Sequence, residues 1–294
     1  MEFKKVGVVG CGQMGSGIAQ VSAMAGFPTL VQEVSREALE TGLARVEKSL
    51  GRLVKKGKLT PDLKEQTQSR LKGTLALEDF ADCDLIIEAV IENLDEKKKV
   101  FRKLDSVARE DAVFASNTSS LSITEMMSVT KRGPRFLGMH FFNPVPIMPL
   151  VEVVKTIVTD PEIVKSAVGF ASKLGKTPIV TSDRAGFIVN RLLIPYLMDA
   201  VRALEEGFGS VGELDTAMRL GCSHPMGPLT LMDYIGNDTC FYIANILYDE
   251  YRQERFAPPP LLKRMVLAGM LGRKTGKGFY DYSDPASPKP TKLL

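Results

Sequence analysis

The sequence holds only two histidines, His140 and His224, so chemistry that needs an imidazole near neutral pH has two candidates. His140 closes the run Arg135-Phe136-Leu137-Gly138-Met139, and Phe141-Phe142-Asn143-Pro144-Val145-Pro146 breaks the pattern behind it. Glu152 sits among apolar residues in Pro149-Leu150-Val151-Glu152-Val153-Val154, where a carboxylate is costly to bury without a partner. A carboxylate on one imidazole nitrogen fixes the tautomer and stabilises the cation, so His140 with Glu152 makes a candidate acid-base pair. A lone histidine is more often structural, and His224, in Cys222-Ser223-His224-Pro225-Met226 with no acidic neighbour, reads that way. Ser119 and Asn190 are hydrogen-bonding groups able to hold a reacting oxygen as charge builds on it. Hydroxyls in Asn117-Thr118-Ser119-Ser120 suit helix caps equally well, and Ser120 or Ser122 would cap a helix over Ile123–Met127.

A second constellation is Val6-Gly7-Val8-Val9-Gly10-Cys11-Gly12-Gln13-Met14-Gly15, followed by small and apolar residues at helical spacing. This reads as strand, tight turn and helix around G-x-G-x-x-G. Gly10 allows the turn, Gly12 lets backbone approach a phosphate, and Gly15 lets the helix pack close to the sheet. The amides of Gln13 and Met14 lie at the helix N-terminus, where an anion is favoured. The pattern is weak alone, but Pro28-Thr29-Leu30-Val31-Gln32-Glu33 follows as a second strand ending in an acid. A carboxylate at Glu33 can accept both adenosine ribose hydroxyls and repel a 2'-phosphate, which favours NAD; Arg36 nearby keeps NADP open. With a nicotinamide ring at the carboxyl edge of the sheet, hydride transfer from an alcohol needs a base, and the reverse needs an acid.

The elements that must position these groups follow in order. Ser35 reads as the cap of a polar helix to about Lys56, and Thr60-Pro61-Asp62 opens another, giving a helical-pair insertion in the Rossmann-like domain over about residues 35–71. Lys48, Arg52, Lys55, Lys56 and Lys58 make it basic, either a solvated face or a clamp for an anionic tail. Asp84 to Val90 reads as a buried parallel strand with Glu92 at its carboxyl end, the ligand side of an open α/β sheet. A helix from Leu94 to Ala108, a strand over Ala112–Ser116, a helix opened by Asp160-Pro161 and a strand over Thr177–Thr181 complete the alternation. From Ala185 the patterns are helical. The expected fold is an N-terminal Rossmann-like, doubly wound, mostly parallel sheet over 1–183, an all-helical C-terminal domain over 184–282 that dimerises, and a frayed tail over 283–294.

The remaining features bound the function class. A net charge of +3 in 294 residues argues against nucleic acid. No apolar run approaches the roughly 20 residues of a membrane span, and the start leads into a strand with no signal-peptide pattern. The expected compartment is the cytoplasm. Cys11, Cys83, Cys222 and Cys240 have neither C-x-x-C spacing nor clustered histidine, so they read as reduced thiols with no metal site.

Five ordered segments carry a resemblance: Gly10 to Ala19, Ser116-Asn117-Thr118-Ser119-Ser120-Leu121, Gly138-Met139-His140-Phe141-Phe142-Asn143-Pro144-Val145, Gly186-Phe187-Ile188-Val189-Asn190-Arg191, and Lys274-Thr275-Gly276-Lys277-Gly278-Phe279-Tyr280. Together, from Val6 to about Tyr282, they resemble the short-chain L-3-hydroxyacyl-CoA dehydrogenases, in particular the bacterial 3-hydroxybutyryl-CoA branch. The resemblance implies NAD-linked oxidation of a 3-hydroxyacyl-CoA, with His140 and Glu152 as the acid-base pair and Ser119 and Asn190 on the substrate's 3-oxygen. It implies that Glu92, Lys97 and Asn143 lie near the nicotinamide half of NAD, with Asn117 and Ser119 also toward the cofactor. It gives the helical pair to coenzyme A, with Ser49 and Lys56 as the matching contacts. Two departures stand out: Glu33 replaces the usual Asp, and Ser182-Asp183-Arg184-Ala185-Gly186 lacks the usual Pro before Gly-Phe. The related β-hydroxyacid dehydrogenases use a Lys four residues before their Asn, where this chain has Gly186. The enzyme alternative is a free-hydroxyacid or polyol dehydrogenase of the gulonate type, and the other is an NAD-binding protein without turnover. Fatty-acid degradation, butanoate formation and aromatic catabolism would each use the expected chemistry.

Overall fold

Four consecutive apolar residues, Val6–Val9, form β1, and all four are buried, as a strand flanked on both faces by helices requires. The structure, a computed structural model, describes residues 1–293. After β1 come α1 (Gln13–Met24), β2 (Thr29–Gln32), α2 (Arg36–Lys55), α3 (Pro61–Arg70), β3 (Leu71–Thr74), β4 (Leu85–Glu88) and α4 (Leu94–Val107). Then follow β5 (Val113–Ser116), α5 (Ile123–Met127), β6 (Phe136–Phe141), β7 (Leu150–Lys155), α6 (Pro161–Lys173) and β8 (Thr177–Ser182). The strands lie in the order β3-β2-β1-β4-β5-β6-β7-β8. Every neighbouring pair is parallel except β6 and β7.

Chain order reverses at β1, whose neighbours are β2 on one side and β4 on the other. The carboxyl ends of β1 and β4 therefore flank the crevice where ligands of open α/β sheets bind. Helix starts follow the segments read from the sequence, with Ser35 accepting from the Ala38 amide, Thr60 from Leu63 and Ser122 from Glu125, and Asn93, which the sequence reading did not single out, accepts from Glu96 at the start of α4. Ser122, rather than Ser120, caps α5.

Two expectations need correction. The helical pair α2 and α3 is not an insertion hung on the sheet; it is the crossover that delivers β3 parallel to β2. β3 escapes a sequence reading because Leu71-Lys72-Gly73-Thr74 is short and polar, as an edge strand tolerates. The C-terminal region is helical, as expected, but the tail is not simply frayed. Tyr280–Asp281 (β9) pairs antiparallel with Lys289–Pro290 (β10), and the Thr291 amide donates to the Phe279 carbonyl at 2.8 Å.

The chain divides into two compact units, one ending at Phe187 and the other beginning at Ile188. Asp183 belongs to the first because its carboxylate accepts from the Ile123 amide at 3.0 Å and the Thr124 amide at 2.7 Å, a long-range cap on α5. Phe187 is buried in the same unit's core. It sits at φ +48° directly after Gly186 at φ +79°, a left-handed pair that a bulky aromatic adopts only where packing enforces it.

The second unit holds α7 (Val189–Glu205), α8 (Val211–Gly221), α9 (Pro228–Ile235), α10 (Asn237–Tyr251) and α11 (Pro260–Leu267). Arg191 of α7 lies over the Tyr251 ring at 3.9 Å and the Phe256 ring at 4.5 Å. Asp233, buried in α9, accepts from the Phe279 amide at 2.9 Å and the Tyr280 amide at 2.8 Å. A Cβ on Gly278 would fall 2.0 Å from Asp233 Oδ1, so the glycine in Lys277-Gly278-Phe279 is required by that approach. Burial pushes the Asp233 carboxyl above its ordinary value, against the hydrogen bonds it receives. No helix among the described residues is long and apolar enough to cross a membrane.

Candidate active site

His140 and Glu152 are directly opposed across the β6/β7 pairing. Antiparallel pairing places cross-strand partners on the same face of the sheet, so register alone brings the two side chains together. His140 Nδ1 lies 2.7 Å from Glu152 Oε2, and both residues are buried, at 6% and 1% exposure. A carboxylate accepts only, so this contact puts the proton on Nδ1 and leaves Nε2 as the nitrogen that can take a proton. The rings of Phe142 and Phe187 stand 4.4 Å and 5.7 Å from the imidazole and give it apolar walls. Asn117, expected toward the cofactor, uses its Oδ1 to accept from the Phe141 amide at 2.9 Å, which pins the end of β6 next to His140.

Beyond the carboxyl ends of β4 and β5 a charged network is assembled. Lys97 Nζ lies 2.6 Å from Glu88 Oε1 and 3.2 Å from Glu92 Oε2. Glu92 Oε1 accepts from the Thr118 hydroxyl at 2.5 Å and the Ser119 amide at 3.0 Å, so the two expected residues Glu92 and Ser119 are in direct contact. Glu88 was not among the expected residues and is fully buried; it accepts from the Val90 amide at 2.7 Å and the Ser116 hydroxyl at 2.6 Å. Burial pushes the Glu88 carboxyl above the usual range, while the Lys97 ammonium pulls against that shift. The signal available in sequence was an acid closing an apolar strand, Leu85-Ile86-Ile87-Glu88, with a lysine in the first turns of the next helix.

The glycine loop has room for a pyrophosphate. A Cβ on Gly15 would fall 1.8 Å from the Gly10 carbonyl, and one on Gly10, at φ +92°, would fall 2.7 Å from the Ala89 carbonyl. Both positions therefore exclude any side chain, whereas a Cβ on Gly12 would meet nothing within 4 Å. The α1 N-terminus has no side-chain cap and no acid in its first turn, so its amides, those of Gln13 and Met14 among them, suit an anionic group. Beside it lies a cavity of about 340 Å³ lined by Gly12, Glu33 and Arg45 among others. Glu33 is oriented there by the Val34 amide at 3.0 Å and the Cys11 amide at 3.4 Å. These features fit the phosphate and adenosine parts of a dinucleotide. Gln13 Nε2 donates to Asn143 Oδ1 at 3.0 Å, joining the loop to the segment behind His140.

Of the expected coenzyme A contacts, Ser49 is half-buried on α2 and Lys56 is the exposed residue that ends it. Asn190 is buried in the first turn of α7, in the second unit. Tyr196, on the same helix, lies 3.2 Å from His224 Nδ1 through its hydroxyl.

Burial raises the thiols of Cys83 and Cys240 to about 12, and burial with the Glu33 charge raises Cys11 to about 11. Cys222 alone of the four is exposed. Alkylation of the native protein near neutral pH is therefore expected to modify Cys222 and spare the others, with all four labelled after unfolding. Peptide mass mapping reads this directly, and early modification of Cys11 would contradict the burial described.

Residues 5–184 match the family described as "3-hydroxyacyl-CoA dehydrogenase, NAD binding domain", and residues 186–282 match its C-terminal domain. The 3-hydroxybutyryl-CoA dehydrogenase of Bradyrhizobium diazoefficiens is 46% identical over 290 residues, 99% of each chain. The protein of that name from Mycobacterium tuberculosis is 49% identical over 282 residues, 95% of this chain and 99% of that one. Among solved structures, (S)-3-hydroxybutyryl-CoA dehydrogenase PaaH1 from Ralstonia eutropha superposes with a TM-score of 0.93 at 44% identity, covering 96% of this chain and all of that one.

Proposed function

This chain belongs to the 3-hydroxyacyl-CoA dehydrogenase family, and from that premise we propose that His140 and Glu152 are its general acid-base pair, with Ser119 and Asn190 on the substrate's 3-oxygen. The reaction is NAD-dependent oxidation of a 3-hydroxyacyl-CoA to the 3-ketoacyl-CoA, and we read 3-hydroxybutyryl-CoA as the substrate. The observation that carries the acid-base reading is the 2.7 Å contact between His140 Nδ1 and Glu152 Oε2.

When bound, the nicotinamide ring supplies the hydride acceptor or donor. His140 Nε2 takes the 3-hydroxyl proton as hydride leaves C3 and returns it to the 3-oxygen in the reverse direction. Glu152 holds the ring in the tautomer that leaves Nε2 open and stabilises the imidazolium that forms. Ser119 and Asn190 donate to the 3-oxygen and favour its partial negative charge. Gly10, Gly12 and Gly15, with the Gln13 and Met14 amides, cradle the pyrophosphate, and Glu33 accepts the adenosine ribose hydroxyls. Glu92, Lys97, Asn117 and Asn143 border the nicotinamide end, and Ser49 and Lys56 hold coenzyme A. We place the enzyme in the cytoplasm, in keeping with four free thiols. We read it as a homodimer through the C-terminal unit, where Leu192, Phe208, Leu220 and Leu267 are between 66% and 79% exposed.

The test is loss of NADH absorbance on adding acetoacetyl-CoA, run beside NADPH and beside free acetoacetate. Turnover with NADH and the thioester alone is expected. Equal turnover of free acetoacetate would move the substrate to a free hydroxyacid, and tight NADH binding without turnover would make the chain a binder.

A further inference from the structure

Residues 142–149 join β6 to β7 and so link the strand of His140 to that of Glu152. The segment carries Asn143, whose Oδ1 accepts from Gln13 Nε2 at 3.0 Å. It folds on itself where the Pro144 carbonyl accepts from the Ile147 amide at 2.9 Å and the Met148 amide at 3.0 Å. Val145 is buried against α1, so closely that a Cβ on Gly17 would fall 2.8 Å from Val145 Cβ. The remaining hold is Lys176. Its ammonium donates to the Val145 carbonyl at 2.5 Å and the Met148 carbonyl at 2.8 Å, spanning the turn.

Two features set this lysine apart from a surface charge. It is half-buried, and burial lowers its ammonium below the usual lysine value with no neighbouring charge contributing. A cation taken partly out of water is costly unless hydrogen-bonded, and here two main-chain carbonyls supply those bonds. Its backbone is also fixed: Gly175 turns left-handed at φ +73° after α6, and the Lys176 amide donates back to the Ala171 carbonyl at 3.1 Å. The Thr177 amide donates to the Pro149 carbonyl at 2.7 Å, so the stem of the lysine starts beside the segment it clamps.

We propose that Lys176 is a positioning residue for the cofactor's nicotinamide end: its ammonium fixes the turn over residues 144–148 and, through it, the direction in which Asn143 presents its side-chain amide. The proposal rests on the reading that places Asn143 at that end. Asn143 is exposed, so its direction is set by its contact with Gln13 and by the turn that follows. Without the ammonium, two carbonyls lose a charged donor, and the turn keeps only its own hydrogen bonds and the Val145 packing. The pyrophosphate and adenosine readings rest on the glycine loop and Glu33, neither of which Lys176 contacts.

The experiment is a pair of dissociation constants measured by calorimetry without turnover, one for NADH and one for ADP-ribose, which lacks the nicotinamide. Lys176→Met keeps a long stem and removes the donor. It is expected to weaken NADH by on the order of tenfold, the scale of a charge-assisted hydrogen bond, while changing ADP-ribose by less than about threefold. Equal weakening of both ligands, or of neither, would overturn the proposal. Lys176→Arg retains a charged donor and should keep the original ratio of the two constants; a loss as large as that of Lys176→Met would overturn it. Lys176→Gln, neutral and shorter, must show the same selective loss as Lys176→Met, and so carries the test if that variant folds poorly. Asn143→Ala separates the underlying reading: it must shift the same ratio, and if it leaves the ratio unchanged Asn143 does not face the nicotinamide. If it shifts the ratio while Lys176→Met does not, the reading stands and the proposal falls. With Asn143 already replaced, Lys176→Met should shift the ratio no further, because the clamp acts through that side chain. A second full shift in the double variant would also overturn the proposal.

Discussion

Replacing His140 by Gln is expected to lower kcat by roughly 10²- to 10⁴-fold while leaving NADH affinity within about threefold, the range general acid-base catalysis contributes. The residue is 6% exposed and walled by Phe142 and Phe187, so no bulk water stands ready to replace the imidazole as proton carrier. Glutamine retains a group able to hydrogen-bond Glu152 but cannot exchange a proton near neutral pH. The glycine loop and Glu33, which carry the cofactor reading, lie on other strands. Single-turnover kinetics with acetoacetyl-CoA, together with an NADH titration, separate the two quantities. Unimpaired turnover would remove His140 from the mechanism, and lost NADH binding would recast it as a cofactor ligand.

Glu152→Gln is the more informative companion because it changes no heavy-atom shape. Glu152 can only accept, so it holds the proton on Nδ1 of His140. An amide can turn its NH₂ toward Nδ1, which then becomes the acceptor, and the proton moves to Nε2, the nitrogen that should be empty. It also withdraws the negative charge that steadies the imidazolium. A loss in kcat of roughly 10²- to 10⁴-fold is expected, as for the equivalent change in acid-base triads. Glu152→Asp keeps the charge on a shorter arm and should recover part of the activity. If Gln and Asp variants lose activity equally, charge is not what Glu152 contributes.

Much of this site was legible because its residues break a local rule. Glu152 is an acid inside an apolar strand, His140 ends a buried run, and the three glycines stand where a Cβ would collide with backbone or block a phosphate. Glu88 breaks the same rule as Glu152, yet its partner lies on the following helix, and no strand register pointed to it. Asn117 shows the opposite case. The family resemblance implied a place near the cofactor, but whether its oxygen faces a ligand or the Phe141 amide depends on how β5 and β6 align, which spacing does not encode. β3 and β10 were invisible because two to four polar residues carry no periodicity; both are held by pairing with strands that form for other reasons.

The single antiparallel step in the sheet has a consequence for how the chain folds. His140 and Glu152 are 12 residues apart, whereas the contacts of Glu88 with Ser116 and of Glu92 with Thr118 span 28 and 26 residues and must enclose a helical crossover. Loop-closure entropy grows with the logarithm of that span, so the shorter contact is favoured by about 0.7 kcal/mol before any packing is counted. The antiparallel pair that carries His140 and Glu152 is thus a local product of chain order, and the edge that carries Glu88 and Glu92 is an assembled one. Substitutions in the early β-α units can disorder the second and leave the first standing.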